Sequence, residues 1–306
     1  MAGESFGPEL FGRERVEPVP GAVLLPDWLT PAEQRELVVA CREWARPPAG
    51  LRTVRLPGGA EMSVRQLCLG WHWGAVARCP NCGVARKEAA GCAQHWFPYA
   101  YTRHVHDGDG APVKPFPDLL GSLARRALAA AYGGEDGEEG EAGEAGGGRE
   151  HDIAGVEHDE HYAPDVALVN HYDDAARMGL HQDREERVAA PVVSLSLGDS
   201  CVFRFGNTET RTRPWTDLEL RSGDLFVFGG PARYAYHGVL RTLPGSADPE
   251  LRLGEPGPPL RGRLNITVRQ TGLGGADPRV SVARTGLRSG PGNSLAVGDL
   301  PGRQQR

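Results

Sequence analysis

The sequence predicts a mainly β protein, of α+β class, built on a double-stranded β-helix (jelly-roll) core with helices on its N-terminal side. Two observations carry this. After position 166 the chain breaks into short segments rich in Val, Leu, Phe and Thr, separated by Gly-containing turns such as Leu197-Gly198-Asp199-Ser200 and Ser222-Gly223-Asp224. Regularly spaced strands of that kind suit an antiparallel sandwich. Before position 132 there are two stretches with helical spacing of apolar residues.

Taken in order, Ala22–Leu25 reads as a short strand ending at Pro26. Thr30 is a capping residue and Pro31 suits the first helical position, so a helix is predicted over Pro31–Trp44. Residues 51–67 read as extended, broken by a turn at Pro57-Gly58-Gly59. Residues 71–106 are rich in Cys, His and aromatics. Leu120, Leu123, Ala124, Ala127 and Leu128 lie at helical spacing within Phe116–Ala131. Strands follow over Val166–Tyr172, Val192–Leu197, Cys201–Phe205, Leu218–Leu220, Leu225–Phe228, Tyr236–Val239 and Leu264–Arg269. Residues 1–20 and 272–306 lack periodicity and are expected to be a flexible start and a disordered tail around a domain spanning 21–271. Within it, 51–106 reads as a lid, 133–160 as an insertion and 166–271 as the catalytic core.

The net charge of −6 divides unevenly. Residues 133–160 hold 11 Asp and Glu against one Arg, so this stretch carries −10 and the remainder +4. Its Gly, Glu and Ala cannot bury enough apolar surface to offset ordering, which predicts a solvated, disordered insertion. The positive remainder is compatible with an anionic partner. The start lacks the basic and apolar regions of a secretory signal. No apolar run approaches the ~20 residues of a membrane span. Six cysteines in that context favour a reducing cytoplasm, and thiols or metal ligands over a disulfide framework. No membrane association and no obligate protein partner are expected.

The chemistry-bearing residues lie in the β-rich half. His181-Gln182-Asp183 places a His and a carboxylate two apart, on one side of an extended chain. His237 follows within Tyr236-His237-Gly238. Two histidines and one carboxylate bind one face of Fe(II) and leave positions open for co-substrate and O2. Arg263 and Arg269 are six apart, hence on one face of a strand and roughly 20 Å apart at ~3.3 Å per residue. Two guanidiniums grip the carboxylates of a small diacid in a bidentate way that Lys does not reproduce. Together these features point to a 2-oxoglutarate-dependent, non-haem iron dioxygenase.

Further segments sharpen this. Asn170-His171-Tyr172, His181-Gln182-Asp183-Arg184-Glu185, Pro191-Val-Val-Ser-Leu-Ser-Leu-Gly198, Gly229-Gly230, Tyr236-His237-Gly238 and Arg263-x-Asn265-x-Thr267-x-Arg269 resemble, in order and spacing, the AlkB family of nucleic-acid dealkylation dioxygenases. The likeness is strongest to the family's bacterial prototype. Upstream, Met62-Ser63-Val64 and Leu69-Gly70-Trp71 are similar to its nucleotide-recognition lid. The resemblance implies that His181, Asp183 and His237 bind iron. It implies that Asn170, Tyr172, Arg263, Asn265 and Arg269 hold 2-oxoglutarate. It implies that Trp71 packs on the damaged base, and that Tyr99, Tyr101, Glu185 and Arg211 contact the substrate strand. The implied reaction is oxidative demethylation of bases such as 1-methyladenine and 3-methylcytosine in single-stranded or flipped DNA, or in RNA, with formaldehyde release. A base must leave its stack for such chemistry, and an aromatic face is its natural partner.

One segment departs from that family. Cys79-Pro80-Asn81-Cys82-Gly83 followed by Cys92-Ala93-Gln94-His95 has zinc-knuckle spacing, so Cys79, Cys82, Cys92 and His95 are candidate ligands of a structural zinc. Two other function classes remain at this stage. A 2-oxoglutarate-dependent hydroxylase of a small molecule or protein side chain would not need the lid segments. A non-catalytic jelly-roll binding module would not need both the triad and the arginine pair.

Overall fold

A computed structural model describes residues 13–56, 60–76, 78–79, 82–85, 98–133, 162–249, 251 and 261–274. The acidic stretch from 134, most of the 272–306 tail, and the start up to 12 lie outside the described residues. The strands are β1 (Val16–Val19), β2 (Ala22–Leu25), β3 (Arg52–Arg55), β4 (Glu61–Leu69), β5 (His72–Ala75), β6 (Tyr99–Thr102), β7 (Val166–Tyr172), β8 (Met178–His181), β9 (Val192–Gly198), β10 (Ser200–Gly206), β11 (Trp215–Leu220), β12 (Leu225–Phe228), β13 (His237–Leu243) and β14 (Arg263–Arg269). The helices are α1 (Pro31–Trp44) and α2 (Asp118–Tyr132). Eight strands form a major sheet in the order β1-β2-β12-β9-β14-β7-β4-β3, and four form a minor sheet, β11-β10-β13-β8. This is the jelly roll that the sequence predicts. β5 and β6 pair only with each other, as a separate hairpin.

α1 has the predicted bounds because its first turn is locked at both ends of a capping box. Glu33 N donates to Thr30 Oγ1 at 3.3 Å, and Thr30 N donates to Glu33 Oε2 at 2.8 Å. It buries Gln34, Leu37, Val38 and Cys41, which share one helical face. α2 buries Leu120, Leu123, Ala124, Ala127, Leu128 and Ala131. Both helices pack on one face of the major sheet.

Period-2 alternation then divides each central strand. Val169 of β7, Leu195 of β9, and Leu264, Ile266 and Val268 of β14 face the helices. Asn170 and Tyr172, Ser194, and Arg263, Asn265, Thr267 and Arg269 therefore face the other way, between the sheets. Part of that interior is filled by Phe203, Phe205, Phe226 and Phe228. Phe205 and Phe226 meet edge-on, 5.1 Å between centroids at 70°. The remaining interior is an open cleft of about 620 Å3.

Four strands, β1, β5, β6 and β8, were not predicted. β1 and β8 have four residues each and no alternation of their own; partners define them, β2 for β1 and β13 for β8. The extended stretch predicted at 51–67 is the β3–β4 hairpin, which continues to Leu69. Among the described residues, no helix is long and apolar enough to cross a membrane.

Candidate active site

His181 ends β8 and His237 begins β13, and the two are register partners across the minor sheet. Their rings stand 4.5 Å apart, centroid to centroid. Asp183 lies two residues past β8, in irregular backbone. One ligand atom from each of the three falls within 4.8 Å of the others. Asp183 Oδ1 is 3.7 Å from His181 Nε2, and its Oδ2 is 3.7 Å from His237 Nε2.

The second nitrogen of each ring settles the proton. His181 Nδ1 lies 3.0 Å from Gly179 O, and His237 Nδ1 lies 3.0 Å from Ala235 O. A carbonyl only accepts, so each Nδ1 carries hydrogen, and Nε2 is the nitrogen each ring turns toward Asp183. The charge states agree. Burial, and then the neighbouring His181, push His237 down to about 4, keeping it neutral. Burial opposes ionisation of Asp183, but the Arg269 guanidinium beside it outweighs that and holds the carboxyl well below the usual range. Two imidazoles and one carboxylate are the donor set that a divalent first-row metal takes.

Beyond the triad, a polar ladder crosses the floor of the cleft on four adjacent strands. Gln66 Nε2 donates to Asn170 Oδ1 at 3.0 Å, and Asn170 Nδ2 to Asn265 Oδ1 at 3.3 Å. Asn265 Nδ2 donates to Ser194 Oγ at 2.8 Å, and Thr267 Oγ1 to Asn265 Oδ1 at 3.0 Å. Arg263 is buried and donates from Nη2 to Ser196 Oγ at 2.9 Å. Arg269 Nη2 lies 2.7 Å from Asp183 Oδ2, an ion pair in which Oδ2 accepts no aligned hydrogen bond. The Nε atoms of Arg263 and Arg269 are buried without a partner among the described residues. Two fixed guanidiniums with spare donors suit a dicarboxylate bound beside the metal site.

Glu186 and Arg233 support this arrangement from below. Glu186 takes Arg233 Nη2 at 3.0 Å and Arg269 Nη1 at 3.1 Å. Arg233 also donates to Asp183 O at 2.9 Å and Ala190 O at 2.6 Å. Sequence reasoning missed both residues, along with Ser194 and Ser196. The two serines had a signal: polar residues two apart inside an apolar run, Pro191-Val-Val-Ser-Leu-Ser-Leu.

The predicted substrate residues separate into two groups. Tyr99, Glu185 and Arg211 line the cleft, with Met62, Arg177 and Arg184 at its rim. Trp71 does not. It is 3% exposed, donates from Nε1 to Asp165 Oδ2 at 3.1 Å, and lies under the Arg103 guanidinium at 3.3 Å. Gly70, at φ +79°, turns the chain there, and it is Trp73, two residues on, that lines the cleft. Trp73 stacks flat on Tyr99, 4.4 Å between centroids with 1° between planes. Tyr101 is buried deeper and donates to Glu186 Oε1 at 2.5 Å, so it is not part of the cleft wall. Burial, and then the charge of Glu186, push the Glu185 carboxyl up. Of the zinc candidates, Cys79 and Cys82 belong to a tight turn closed by Cys79 N to Val84 O and Gly83 N to Cys79 O, both 2.9 Å. Cys92 and His95 lie outside the described residues.

The whole arrangement has relatives. Residues 21–269 match the model of the 2OG-Fe(II) oxygenase superfamily. The chain is 32% identical over 260 residues to the DNA N(6)-methyladenine demethylase ALKBH1D of Arabidopsis thaliana, covering 82% of this chain and 49% of that protein. It is 48% identical over 120 residues to the alpha-ketoglutarate-dependent dioxygenase AlkB homolog of Caulobacter vibrioides, covering 39% of this chain and 50% of that protein. The chain thus spans about half the length of the curated relatives it matches. The solved structure of OsALKBH1 superposes with a TM-score of 0.58 at 25% identity, over 84% of this chain and all of that one. The chain belongs to the 2OG-Fe(II) oxygenase superfamily, whose Fe(II) and 2-oxoglutarate suit the His-Asp-His donor set and the buried arginine pair of this cleft.

Proposed function

We propose that this protein oxidatively removes N-linked methyl groups from DNA bases. The observation that carries this is the sharing of one cleft. The iron-type triad, the arginine pair, an aromatic pair and an arginine rim line the same space. Fe(II) with 2-oxoglutarate and O2 supplies the oxidising power to hydroxylate a methyl carbon. One oxygen atom enters the N–CH3 group to give N–CH2OH, and the other leaves in succinate, with CO2 released. The N–CH2OH group then loses formaldehyde and returns the N–H base.

The chain's own residues bind and orient. Arg263, fixed by Ser196, takes the far carboxylate of the co-substrate, and Arg269 the end nearer the triad. Tyr172, Asn170 and Asn265 complete the floor. Trp73 and Tyr99 present aromatic edges and a face to an unstacked base. Glu185 stands where a base edge would meet it, and an acidic group there favours a cationic methylated base. Arg177, Arg184 and Arg211 are exposed at the rim, placed for backbone phosphates.

Incubating the Fe(II)-loaded protein with 1-methyladenine or 3-methylcytosine in single-stranded DNA should release formaldehyde and succinate in equal amounts. N6-methyladenine DNA and methylated RNA are the comparison arms. A protein that consumes 2-oxoglutarate yet demethylates none of these is a hydroxylase of a small molecule or protein side chain instead. We propose in addition that Cys79, Cys82, Cys92 and His95 hold a structural zinc, supported by the knuckle-like turn at Cys79–Cys82 and the left-handed Gly83 at φ +74°. Elemental analysis should find zinc in the wild-type protein and less in Cys79→Ser.

A further inference from the structure

The β5–β6 hairpin belongs to neither jelly-roll sheet, yet one of its side chains reaches the centre of the molecule. Trp73 pairs with Tyr101, and Ala75 with Tyr99, so Trp73, Tyr99 and Tyr101 share one face of the hairpin. The first two line the cleft. The third runs past it and donates to Glu186. The Glu186 side chain is 1% exposed and also accepts from Arg233 and Arg269. Arg233 in turn holds the carbonyls of Asp183 and Ala190, clamping the segment that carries both Asp183 and Glu186. Arg269 contacts both carboxylates, Asp183 at 2.7 Å and Glu186 at 3.1 Å. The cluster holds two guanidiniums and two carboxylates, so each buried charge is matched.

We propose that Glu186 is a positioning residue that latches the lid hairpin, through Tyr101, to the guanidinium of Arg269. Hairpin position and the aim of Arg269 then change together, and co-substrate affinity depends on a hydroxyl in the lid. Arg269 keeps two anionic partners only while Glu186 holds its second nitrogen. Without that hold, Arg269 has Asp183 as its one anionic partner and draws onto it. This coupling rests on the proposed function, because it takes Arg269 to bind 2-oxoglutarate; the latch itself does not.

Hydrogen exchange on the full-length, metal-free protein tests the latch. Tyr101→Phe keeps the ring and removes the hydroxyl. Exchange in 72–76 and 98–102 should quicken about tenfold, the equivalent of one charge-assisted hydrogen bond, while 192–198 is unchanged. Glu186→Gln should act similarly, and the double variant should be no faster than either single one. Calorimetry on the Mn(II)-loaded protein then reads 2-oxoglutarate binding, which Tyr101→Phe should weaken several-fold. Unchanged hairpin exchange in Tyr101→Phe, or additive effects in the double variant, overturns the latch. Faster exchange with unchanged 2-oxoglutarate affinity overturns the coupling. A wild-type protein that binds no 2-oxoglutarate overturns the proposed function and the coupling with it, and the exchange rates still decide the latch.

Discussion

His181 is the triad member that can be removed at least cost to folding, because its side chain is 36% exposed and its ring holds only one backbone carbonyl. His181→Ala should therefore abolish turnover and lower iron content while the far-ultraviolet spectrum and melting temperature stay near wild type. Arg263 is the opposite case: buried, with its guanidinium anchored by Ser196. Arg263→Lys replaces a planar fork with a point charge, and should raise the Michaelis constant for 2-oxoglutarate ~10–100-fold through a lost charge-assisted contact. The two tryptophans should also behave differently. Trp73→Ala should weaken oligonucleotide binding by ~1–3 kcal/mol through lost stacking, with uncoupled 2-oxoglutarate turnover retained. Trp71→Ala should instead lower the melting temperature. The triad was legible in the sequence only as residue types: Asp183 lies past the end of β8 and His237 comes from another strand. The arginine pair was legible because strand parity puts Arg263 and Arg269 on one face of β14. Trp71 and Trp73 were not separable that way. They are two apart, and the turn at Gly70 that sends one into the core is set by contact with another segment. A Cβ on Gly70 would meet Asp165 O at 2.0 Å.

Elements were legible where their signals are local. α1 carries its own start signal in Thr30, Pro31 and Glu33, and its predicted bounds match. β9 and β14 announce themselves by apolar runs that turn polar at alternate positions on the cleft side, and β7 by the apolar run Val166–Val169. β8 has no such pattern. It is a strand because β13 lies beside it, and that pairing sets His181 opposite His237. Gly238 permits the approach. A Cβ there would fall 2.6 Å from Met178 O and 3.0 Å from Gly179 C, far inside ordinary contact and against backbone that cannot swing aside. Gly238→Ala should part β13 from β8, spread the two imidazoles and weaken Mn(II) binding by paramagnetic resonance, with the major sheet intact. Undiminished Mn(II) binding would show that the pairing does not set the ligand spacing.

At the scale of the whole molecule, the β5–β6 hairpin is joined to the major sheet by a buried charged cluster. Arg52 of β3 donates from Nε to Asp107 Oδ1 at 2.6 Å, and His72 of β5 pairs with the same carboxylate oxygen at 3.0 Å. Cys68 lies 3.8 Å from Arg52, and the His106 ring stands 6.4 Å from that of His72. Burial pushes His72 down, but Asp107 and Cys68 overrule it and leave the imidazole above its ordinary value. Burial likewise opposes ionisation of Asp107, and His72 and Arg52 bring its carboxyl down to about 2. A raised histidine stabilises below its unfolded value and loses that contribution as pH rises through the folded one. A depressed carboxylate stabilises above its unfolded value and loses that contribution as pH falls toward 2. The cluster is thus strongest in mildly acidic solution. The gap in melting temperature between wild type and His72→Gln should be wider at pH 6 than at pH 9; a gap that does not narrow on the alkaline side would remove the charged His72–Asp107 pair. None of this was visible in the sequence, because residues 52, 68, 72 and 107 converge only after the hairpin has folded back on the sheet.

The detached β5–β6 hairpin also bears on how substrate preference can diverge. The two histidines of the triad sit on strands of the minor sheet, β8 and β13, whereas Trp73 and Tyr99 ride on a two-stranded appendage. Under the proposed function, exchanging that appendage between homologues is a modular route to new base preference, on one condition. A grafted hairpin must carry a hydroxyl-bearing aromatic at position 101, or the transplanted recognition surface will arrive disconnected from the oxidising centre it is meant to serve.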